Sequence, residues 1–144
     1  MAIRLEPVLP RHRPALEALL LSVHLPIEDL PADLGGFTLA FDGDRLVGSA
    51  GLVRLGSYGL LRSVAVDAAF RGTGLGASLY LAALDTARAA GLREIWLLTT
   101  SAEGYFAQRG FERIDRAEAP PEIQAAPQFA GVCPASAVLM RLSV

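Results

Sequence analysis

A glycine-rich turn, Phe70 to Ser78 (F-R-G-T-G-L-G-A-S), constrains the fold of this chain more than any other feature of its sequence. The turn stands between a strand pattern that ends at Val66 and a helix pattern that begins at Gly74. Its alternating glycines let backbone N–H groups converge without Cβ clashes, and the helix N-terminus adds positive potential. Glycines also make tight strand–helix turns that bind nothing, but their density and the arginine in front of them favour a phosphate or pyrophosphate site.

Apolar periodicity along the rest of the chain predicts an α+β domain with αβα layers. Asp42-Gly43 between two alternating runs predicts a hairpin, and a proline-broken loop precedes the last strand. The predicted helices cover residues 13–24, 74–91 and 102–110, and the predicted strands cover residues 3–7, 37–42, 45–55, 58–66, 94–100, 111–118 and 136–144. This order predicts one domain over residues 1–144, built on a mixed, mostly antiparallel sheet flanked by helices.

Composition excludes several classes of function. All 13 basic residues are arginines, so the chain has no lysine for a pyridoxal Schiff base or for a nucleotide-binding phosphate loop. The net charge of -2 and the lack of a dense basic patch argue against nucleic acid as a partner. Apolar runs are too short to cross a membrane, and because the sequence starts on a strand pattern, we expect no signal peptide. We therefore expect a cytoplasmic protein.

A metal site is not expected from the sequence. Cys133 is the only cysteine, and His12 and His24 lie twelve positions apart without a supporting pattern of ligands. One thiol cannot form a cysteine cluster or an intramolecular disulfide. A buried small side chain is the ordinary interpretation of Cys133.

A dinucleotide is a second ligand that the turn formally allows. Gly72, Gly74 and Ala77 satisfy the pattern G-x-G-x-x-A. That fingerprint belongs after the first strand of a βαβ unit, with an acidic residue at the end of the next strand. Here the turn follows antiparallel strands, and Glu94 begins the next strand instead of ending it. The mismatch disfavours a nicotinamide cofactor.

The stretch R-G-T-G-L-G resembles the R/Q-x-x-G-x-G/A signature of the GNAT N-acetyltransferases, and the element order and Y-F-A-Q-R-G-F are similar to that family as well. The resemblance implies that acetyl-CoA is the co-substrate and that the central parallel strands, 58–66 and 94–100, splay apart. It implies backbone contacts to the pyrophosphate at Arg71, Gly72, Thr73, Gly74, Leu75 and Gly76, and to the pantetheine arm at Val64, Ala65 and Val66. Dimerisation is common in the family, so the resemblance is compatible with a homodimer.

Four further stretches resemble narrower groups within that family. They are L-P-I-E-D-L, G-L-L-R-S-V-A-V, W-L-L-T-T-S-A-E-G-Y-F and V-C-P-A-S-A-V-L-M, and they are similar to the GNAT subgroup associated with arsenic-resistance operons and to amino-acid N-acetyltransferase domains. These resemblances imply a small amine acceptor that carries a carboxylate, with an amino-acid arsenical or phosphinate among the candidates, and a role in resistance or detoxification. A non-catalytic acetyl-CoA-binding module and a protein N-terminal acetyltransferase are the alternatives.

The usual acid and base of the family are missing from their aligned positions. Leu60 stands where many members have a glutamate base, and Phe106 stands where many have a tyrosine acid. Tyr105 is one residue early, about 100° away around a helix. We therefore expect Phe106 beside the thioester, Tyr105 turned toward the core or a neighbouring loop, and catalysis chiefly by proximity, with the Tyr105 hydroxyl as a weaker candidate for the acid. Ser101 and Thr100 are candidates for holding a water or the acceptor, and Ser101 alternatively caps the next helix.

One strand residue is predicted to contact the acceptor. Alternation puts Arg62 on the same face as Val64, whose backbone N–H is a candidate for polarising the thioester carbonyl. The guanidinium suits a carboxylate or phosphinate, and alternatively it forms a structural ion pair with Glu94 or Glu28.

The family resemblance also puts two loops beside the acceptor. The first carries His24, Glu28 and Asp29 as candidates for receiving the ammonium group, although Asp29 also suits a helical turn and His24 a helix end. The second carries Cys133 as a candidate for contact with the acceptor. A lone thiol is a poor site for three-coordinate arsenite.

Overall fold

The computed structural model describes residues 3–132 and 136–144 of the chain. The helices are α1 (Arg13–Ser22), α2 (Leu75–Ala89), α3 (Glu103–Ala107) and α4 (Pro121–Gln124). The strands are β1 (Ile3–Pro7), β2 (Phe37–Asp42), β3 (Arg45–Leu55), β4 (Tyr58–Val66), β5 (Glu94–Thr99), β6 (Glu112–Arg113) and β7 (Val138–Ser143). Within the described residues, every helix is too short or too polar to cross a membrane.

One seven-stranded sheet runs in the order β1-β2-β3-β4-β5-β7-β6. Its central pair, β4 and β5, is parallel, and the other neighbouring pairs are antiparallel. The ladder between β4 and β5 covers only the pairs from Tyr58↔Glu94 to Leu60↔Trp96. Beyond these pairs the two strands separate and open a cleft between their carboxyl-terminal halves. The predicted mixed α+β fold with a splayed central pair is therefore confirmed.

Helices cover both faces of the sheet. Successive residues of β5 belong to different cores, because successive side chains of a strand point to opposite faces. Ile95 packs with Leu79 of α2, whereas Trp96 packs with Ile123 of α4. Helix α1 covers the same face as α4, with Leu16 in a third core at the β2 end of the sheet. The cleft between β4 and β5 thus opens inside a helix–sheet–helix sandwich.

Strand β4 carries a bulge where the cleft begins. The register with β3 skips one step, so that Ser63 and Val64 together oppose Ala50 alone. Ser63 has a left-handed backbone, with φ of +55°, and its carbonyl oxygen accepts a 2.6 Å hydrogen bond from the Ser49 hydroxyl. A bulge reverses the side-chain alternation of its strand. Leu61 and Val64 consequently contact the same core, although three positions separate them.

The predicted strands 37–42, 45–55 and 58–66 coincide with β2, β3 and β4. The strand predicted at 111–118 is wrong beyond its start, because β6 contains only two residues. Asp115 Oδ1 accepts a 2.9 Å hydrogen bond from the Ala117 N–H, which turns the chain out of the strand. The segment predicted as a loop contains α4 and a π-helical turn at Gln128–Val132.

Candidate active site

Two adjoining hollows lie beside the second half of β4. The larger one, here called the main cavity, has a volume of about 450 Å³ and is lined by the second half of β4, the end of β5, α3 and the chain after α1. The smaller one, here called the turn groove, has a volume of about 270 Å³ and follows the glycine-rich turn. Gly76 and Tyr105 line both hollows. These two residues therefore form the junction between them.

The turn groove is built mainly from backbone. Gly72 and Gly74 have φ of +78° and +84°, a region that L side chains rarely adopt. A Cβ atom added at either glycine would meet no atom within 4 Å, so backbone conformation rather than crowding requires glycine here. The groove lies at the N-terminus of α2, a helix of 15 residues, whose first-turn N–H groups and dipole favour an anion.

Two arginines flank the turn groove. Arg71 belongs to the turn itself, and Arg109 follows α3. The Arg109 guanidinium lies 3.6 Å from the ring centroid of Tyr105, and its Nη1 donates a 3.2 Å hydrogen bond to the Tyr105 carbonyl oxygen. The sequence prediction did not include Arg109. Its position four residues after Tyr105 was the available signal, because such residues lie side by side on a helical turn.

The entrance to the glycine turn is held by Asp67. Its carboxylate accepts hydrogen bonds from the Ala69 N–H and from Arg45 Nη2, both at 2.9 Å. The backbone hydrogen bond, assisted by the positive charge of Arg45, keeps the pKa of Asp67 below its ordinary range. The ionised carboxylate thereby caps the short turn at Ala68–Phe70 that leads into the glycines.

Tyr105 and Phe106 both line the main cavity, but they differ in how far they are buried. Phe106 is 8% exposed and packs against Tyr80 and Phe111, and it also lines the main cavity. Tyr105 is 38% exposed, and its hydroxyl oxygen lies 3.9 Å from the position of a Cβ atom built on Gly76. The expectation that Tyr105 turns toward the core is wrong. The core needs one ring from this short helix, and because Phe106 fills that position, its neighbour faces the cleft.

Tyr80 is a second tyrosine on this side of the sheet. It is buried in the core under α2 and does not border either hollow. Burial raises the pKa of Tyr80, so its hydroxyl stays protonated. Of these two tyrosines, the one that faces the cleft is Tyr105.

Arg62 is tied to Asp29 rather than free for a ligand. Its Nη1 donates to Asp29 Oδ2 at 2.7 Å, and its Nη2 donates to Asp29 Oδ1 at 2.9 Å. Its Nε donates to the Ser63 hydroxyl at 3.1 Å. Arg62 borders the main cavity, but its fork is occupied and cannot bind an acceptor carboxylate bidentately. The structural ion pair is present, with Asp29 as the partner in place of Glu94 or Glu28.

The prediction that Arg62 and Val64 share a face is also wrong. Val64 packs against the core under α2. Arg62 bonds to Asp29, next to Leu30 in the core under α1. The bulge at Ser63 is the reason, since the simple alternation of a strand does not continue across it.

The segment of β4 proposed from the resemblance to contact a cofactor spans the two hollows. Val64 lines the main cavity and Val66 lines the turn groove, whereas Ala65 is buried toward α1. The β5 ladder ends at Leu60, so the edge of this segment faces the cleft.

Hydroxyl side chains mark the end of β5. Thr99 Oγ1 accepts a 2.9 Å hydrogen bond from the Ala102 N–H at the start of α3. The alternative that Ser101 caps this helix is wrong, because Ala102 occupies the cap position and no side chain at that position bonds to the helix. Thr100 and Ser101 are exposed and line the main cavity. Both residues are therefore in position to contact a molecule bound there.

The chain after α1 and the turn after α4 complete the main cavity. His24 lines it, whereas Glu28 is exposed and lies outside its lining. Gln128 is only 7% exposed and lines the cavity from the π-helical turn. Sequence patterns gave no signal for Gln128, because its position depends on how a loop folds back over the sheet. Cys133 lies outside the described residues.

The aligned position of the family's glutamate base lies away from the cleft. Leu60 is 3% exposed and packs with Trp96 and Leu139 on the face opposite α2. It borders neither hollow. In residues 3–132 and 136–144, no group of three or more His, Cys, Asp or Glu side chains is arranged to hold a metal ion.

Residues 7–114 match the sequence profile of the acetyltransferase (GNAT) family. No curated protein sequence gives a significant match. N-acetylglutamate synthase from Neisseria gonorrhoeae, complexed with coenzyme A and N-acetyl-glutamate, is similar to the chain with a TM-score of 0.84 and 20% identity. The match covers 99% of this chain and 35% of that enzyme, so the chain spans about a third of its length.

Two further solved structures share the fold along their whole length. Rv2747 from Mycobacterium tuberculosis, in complex with CoA and NLQ, has a TM-score of 0.78 and 23% identity, covering 98% of this chain and 99% of that one. Arabidopsis thaliana Naa50, in complex with the bisubstrate analogue CoA-Ac-MVNAL, has a TM-score of 0.73 and 21% identity, with full coverage of both chains. At 20–23% identity, these similarities show a common fold.

Proposed function

The chain belongs to the GNAT family of acetyltransferases, and we propose that it transfers the acetyl group of acetyl-CoA to the amino group of a small amino-acid-like acceptor. The observation that carries this proposal is the junction of two unlike hollows at Gly76 and Tyr105. The turn groove has the backbone and the charge that suit a pyrophosphate, and the main cavity has the size and the hydroxyl groups that suit a small polar amine. A thioester that extends from the first hollow into the second meets the amine at this junction.

We assign acetyl-CoA to the glycine turn and the free edge of β4. The backbone N–H groups of residues 71–76 bind the pyrophosphate in this proposal, and Arg71 and Arg109 add positive charge. The pantetheine arm pairs with β4 at Val64–Val66, because these residues lie beyond the end of the β5 ladder. The coenzyme A bound in the Neisseria and Mycobacterium structures supports this choice of co-substrate.

The proposed acceptor is an amino acid or a molecule of similar size. A cavity of about 450 Å³ lies in the lower part of the range for small-molecule sites. Thr100, Ser101 and Gln128 offer neutral hydrogen-bonding groups to a carboxylate or phosphinate, while the Arg62–Asp29 pair forms a fixed wall. The N-acetyl-glutamate in the Neisseria structure supports an amino acid. Amino-acid arsenicals and phosphinates, which the resemblance to the arsenic-resistance subgroup implies, fall in the same size class.

The proposed chemistry uses the bulge of β4 and the junction. The neutral amine attacks the thioester carbonyl, a C–N bond forms, and the C–S bond breaks to release coenzyme A as a thiolate. The backbone N–H of Val64, beside the strained Ser63, stabilises the oxyanion. The Tyr105 hydroxyl faces the junction, and it donates a proton to the departing sulfur. Proximity of the two substrates supplies the rest of the rate enhancement.

An acceptor panel tests the proposal. Thiol release from acetyl-CoA is measured with L-glutamate, L-glutamine, a phosphinate amino acid, an amino-acid arsenical and a peptide with a free N-terminus. We expect saturable release with at least one amino-acid-sized amine and none with the peptide. Saturable binding of acetyl-CoA without release would favour a non-catalytic module. Release with the peptide alone would favour a protein N-terminal acetyltransferase, to whose bisubstrate-bound Arabidopsis example the fold is also similar.

A further inference from the structure

The histidine after α1 has a strained backbone at the rim of the main cavity. His24 has φ of +63°, in the left-handed region that favours glycine. Helix α1 ends through hydrogen bonds from the His24 N–H to the Leu21 carbonyl (3.1 Å) and from the Leu25 N–H to the Leu20 carbonyl (2.9 Å). Glycine is the usual residue at the left-handed position of this helix end. A strained residue at the edge of a cavity points to a function for its side chain.

His24 is also the side chain in the main cavity that is suited to accept a proton. Among the described residues that line the cavity, the other titratable groups are Arg62 of β4 and Tyr105 of α3. Arg62 is paired with Asp29, and a guanidinium cannot act as a base in a protein. A neutral phenol serves as an acid rather than a base. A neutral imidazole, by contrast, has one ring nitrogen that accepts a proton.

The carboxylates near His24 are not available to accept a proton from the acceptor. Asp29 points at Arg62 and its side chain is 1% exposed. Glu28 is exposed but lies outside the lining of the cavity. Leu60, the position where the family often has its base, is buried on the face opposite α2. The reaction needs a proton acceptor, and the described residues offer His24.

We infer that His24 is the general base that takes a proton from the ammonium group of the acceptor. The inference rests on the proposed function. It gives His24 a part in the reaction itself, beyond contact with the acceptor. The exposure of the imidazole suits this task, because the proton must pass on to solvent before the next turnover.

The protons balance with one histidine and one tyrosine. A neutral ring nitrogen of His24 takes one proton from the ammonium group and leaves an amine with a free electron pair. Attack forms the C–N bond, and collapse of the tetrahedral intermediate breaks the C–S bond. Tyr105 gives its proton to the thiolate and regains one from the acetylated nitrogen, directly or through water. His24 then releases its proton to solvent, which is the single proton that the overall reaction produces.

The pH dependence of two matched variants tests the inference. His24→Asn keeps a residue type that tolerates a positive φ but cannot accept a proton. We expect its kcat/KM for the best amine of the panel to fall about 100-fold at pH 7, with the KM for acetyl-CoA unchanged. The deficit should shrink as the pH approaches the pKa of the free amine, because hydroxide then supplies the neutral nucleophile. His12→Asn is the control, since His12 accepts a hydrogen bond from the Leu9 N–H and does not line the cavity.

A glycine variant separates backbone strain from catalysis. His24→Gly relieves the left-handed backbone, so the melting temperature should rise by about 2–4 °C. Its kcat/KM should fall as in His24→Asn, and added imidazole should restore part of the rate. A gain in stability together with a loss of activity is not expected of a residue with a merely structural role.

The possible outcomes distinguish a failure of the His24 assignment from a failure of the proposed acetyltransferase activity. A wild-type pH profile in His24→Asn, or a loss of equal size at pH 7 and at the pKa of the amine, would overturn the assignment of His24 and leave the acetyltransferase standing. Absence of rescue by imidazole in His24→Gly also counts against a base at this position. A wild-type chain that acetylates no amine of the panel overturns the proposed function, and the assignment of His24 falls with it.

Discussion

The turn groove and the main cavity differ in what they are made of. The groove follows one run of backbone, residues 70–77, in which two glycines with positive φ determine the shape. The main cavity is made of side chains from the chain after α1, from β4, β5 and α3, and from the turn after α4. The backbone of the first is a local structure that a few consecutive residues specify, while Val66, Tyr105 and Arg109 complete its lining from other segments. The other exists only when segments far apart in the chain have packed together.

This difference explains why the co-substrate is proposed more specifically than the acceptor. Backbone N–H groups at a helix end recognise a phosphate whatever side chains surround them. An acceptor site made from several segments changes its shape with any one of them. The co-substrate can thus be proposed from a short motif, whereas the acceptor has to be found by experiment.

The largest expected effect concerns the Arg62–Asp29 ion pair. It tests whether Arg62 stabilises the fold or binds the acceptor. Arg62→Leu leaves the Asp29 carboxylate as an unpaired charge with a 1% exposed side chain. Removal of one partner from a buried pair costs about 3–5 kcal/mol of folding free energy, which urea unfolding measures. Glu28→Gln, an exposed change in the same loop, should cost less than about 0.5 kcal/mol. Near-normal stability with a raised acceptor KM would instead identify Arg62 as an acceptor contact.

Two glycines of one turn test whether the groove is a backbone site. Gly74→Ala puts a side chain on a φ of +84°, so we expect a loss of about 1–2 kcal/mol in stability and about a tenfold higher KM for acetyl-CoA. Gly76→Ala adds the same methyl group at ordinary contact distances, 3.7 Å from Val66 and 3.9 Å from Tyr105. It should keep full stability and still raise the KM, because the methyl group enters the junction. Unchanged KM values in both variants would contradict a cofactor site here.

Substitutions of two adjacent aromatic residues, Tyr105 and Phe106, test the junction of the two hollows. Tyr105→Phe removes the hydroxyl that faces the cleft, and we expect kcat to fall about tenfold with normal KM values and normal stability. Phe106→Leu should do the opposite, with a loss of about 1 kcal/mol in stability and a nearly normal kcat. Steady-state kinetics and thermal unfolding of the two proteins measure both effects. A normal kcat in Tyr105→Phe would show that the Tyr105 hydroxyl is not the acid. Proximity of the two substrates would then account for catalysis without it.

The smallest expected effect concerns the entrance to the groove. The pKa of Asp67 is lowered in the folded state, so its stabilising effect is present above the unfolded pKa and is lost as the pH falls through the folded pKa. Asp67→Asn should therefore be slightly less stable than wild type at pH 7, and the difference should disappear in acid. Thermal unfolding between pH 7 and pH 3 measures it. A difference that grows in acid would contradict the ionised cap.

The sequence predicted those parts of the molecule that depend on near neighbours in the chain. Alternating side chains and Asp42-Gly43 predicted β2, β3 and β4 because a hairpin is specified by its own residues. The errors in the sequence predictions come from contacts between different segments of the chain. Simple alternation put Arg62 and Val64 on one face, and a bulge opposite Ala50 separated them. The bulge depends on how Ser63 and Val64 pair with Ala50 of the neighbouring strand, and Asp29 lies 33 positions from Arg62 in the sequence.

By itself, the sequence determined the order of the elements from β1 to α3 and the glycine turn, because backbone conformation and periodicity are properties of consecutive residues. Only the tertiary structure decided which side chains meet in the cleft. It turned Tyr105 toward Gly76 because Phe106 fills the core, and it occupied the fork of Arg62 with Asp29. It also brought His24 to the cavity in a strained conformation. Each of these outcomes depends on packing between distant segments, which no local pattern encodes.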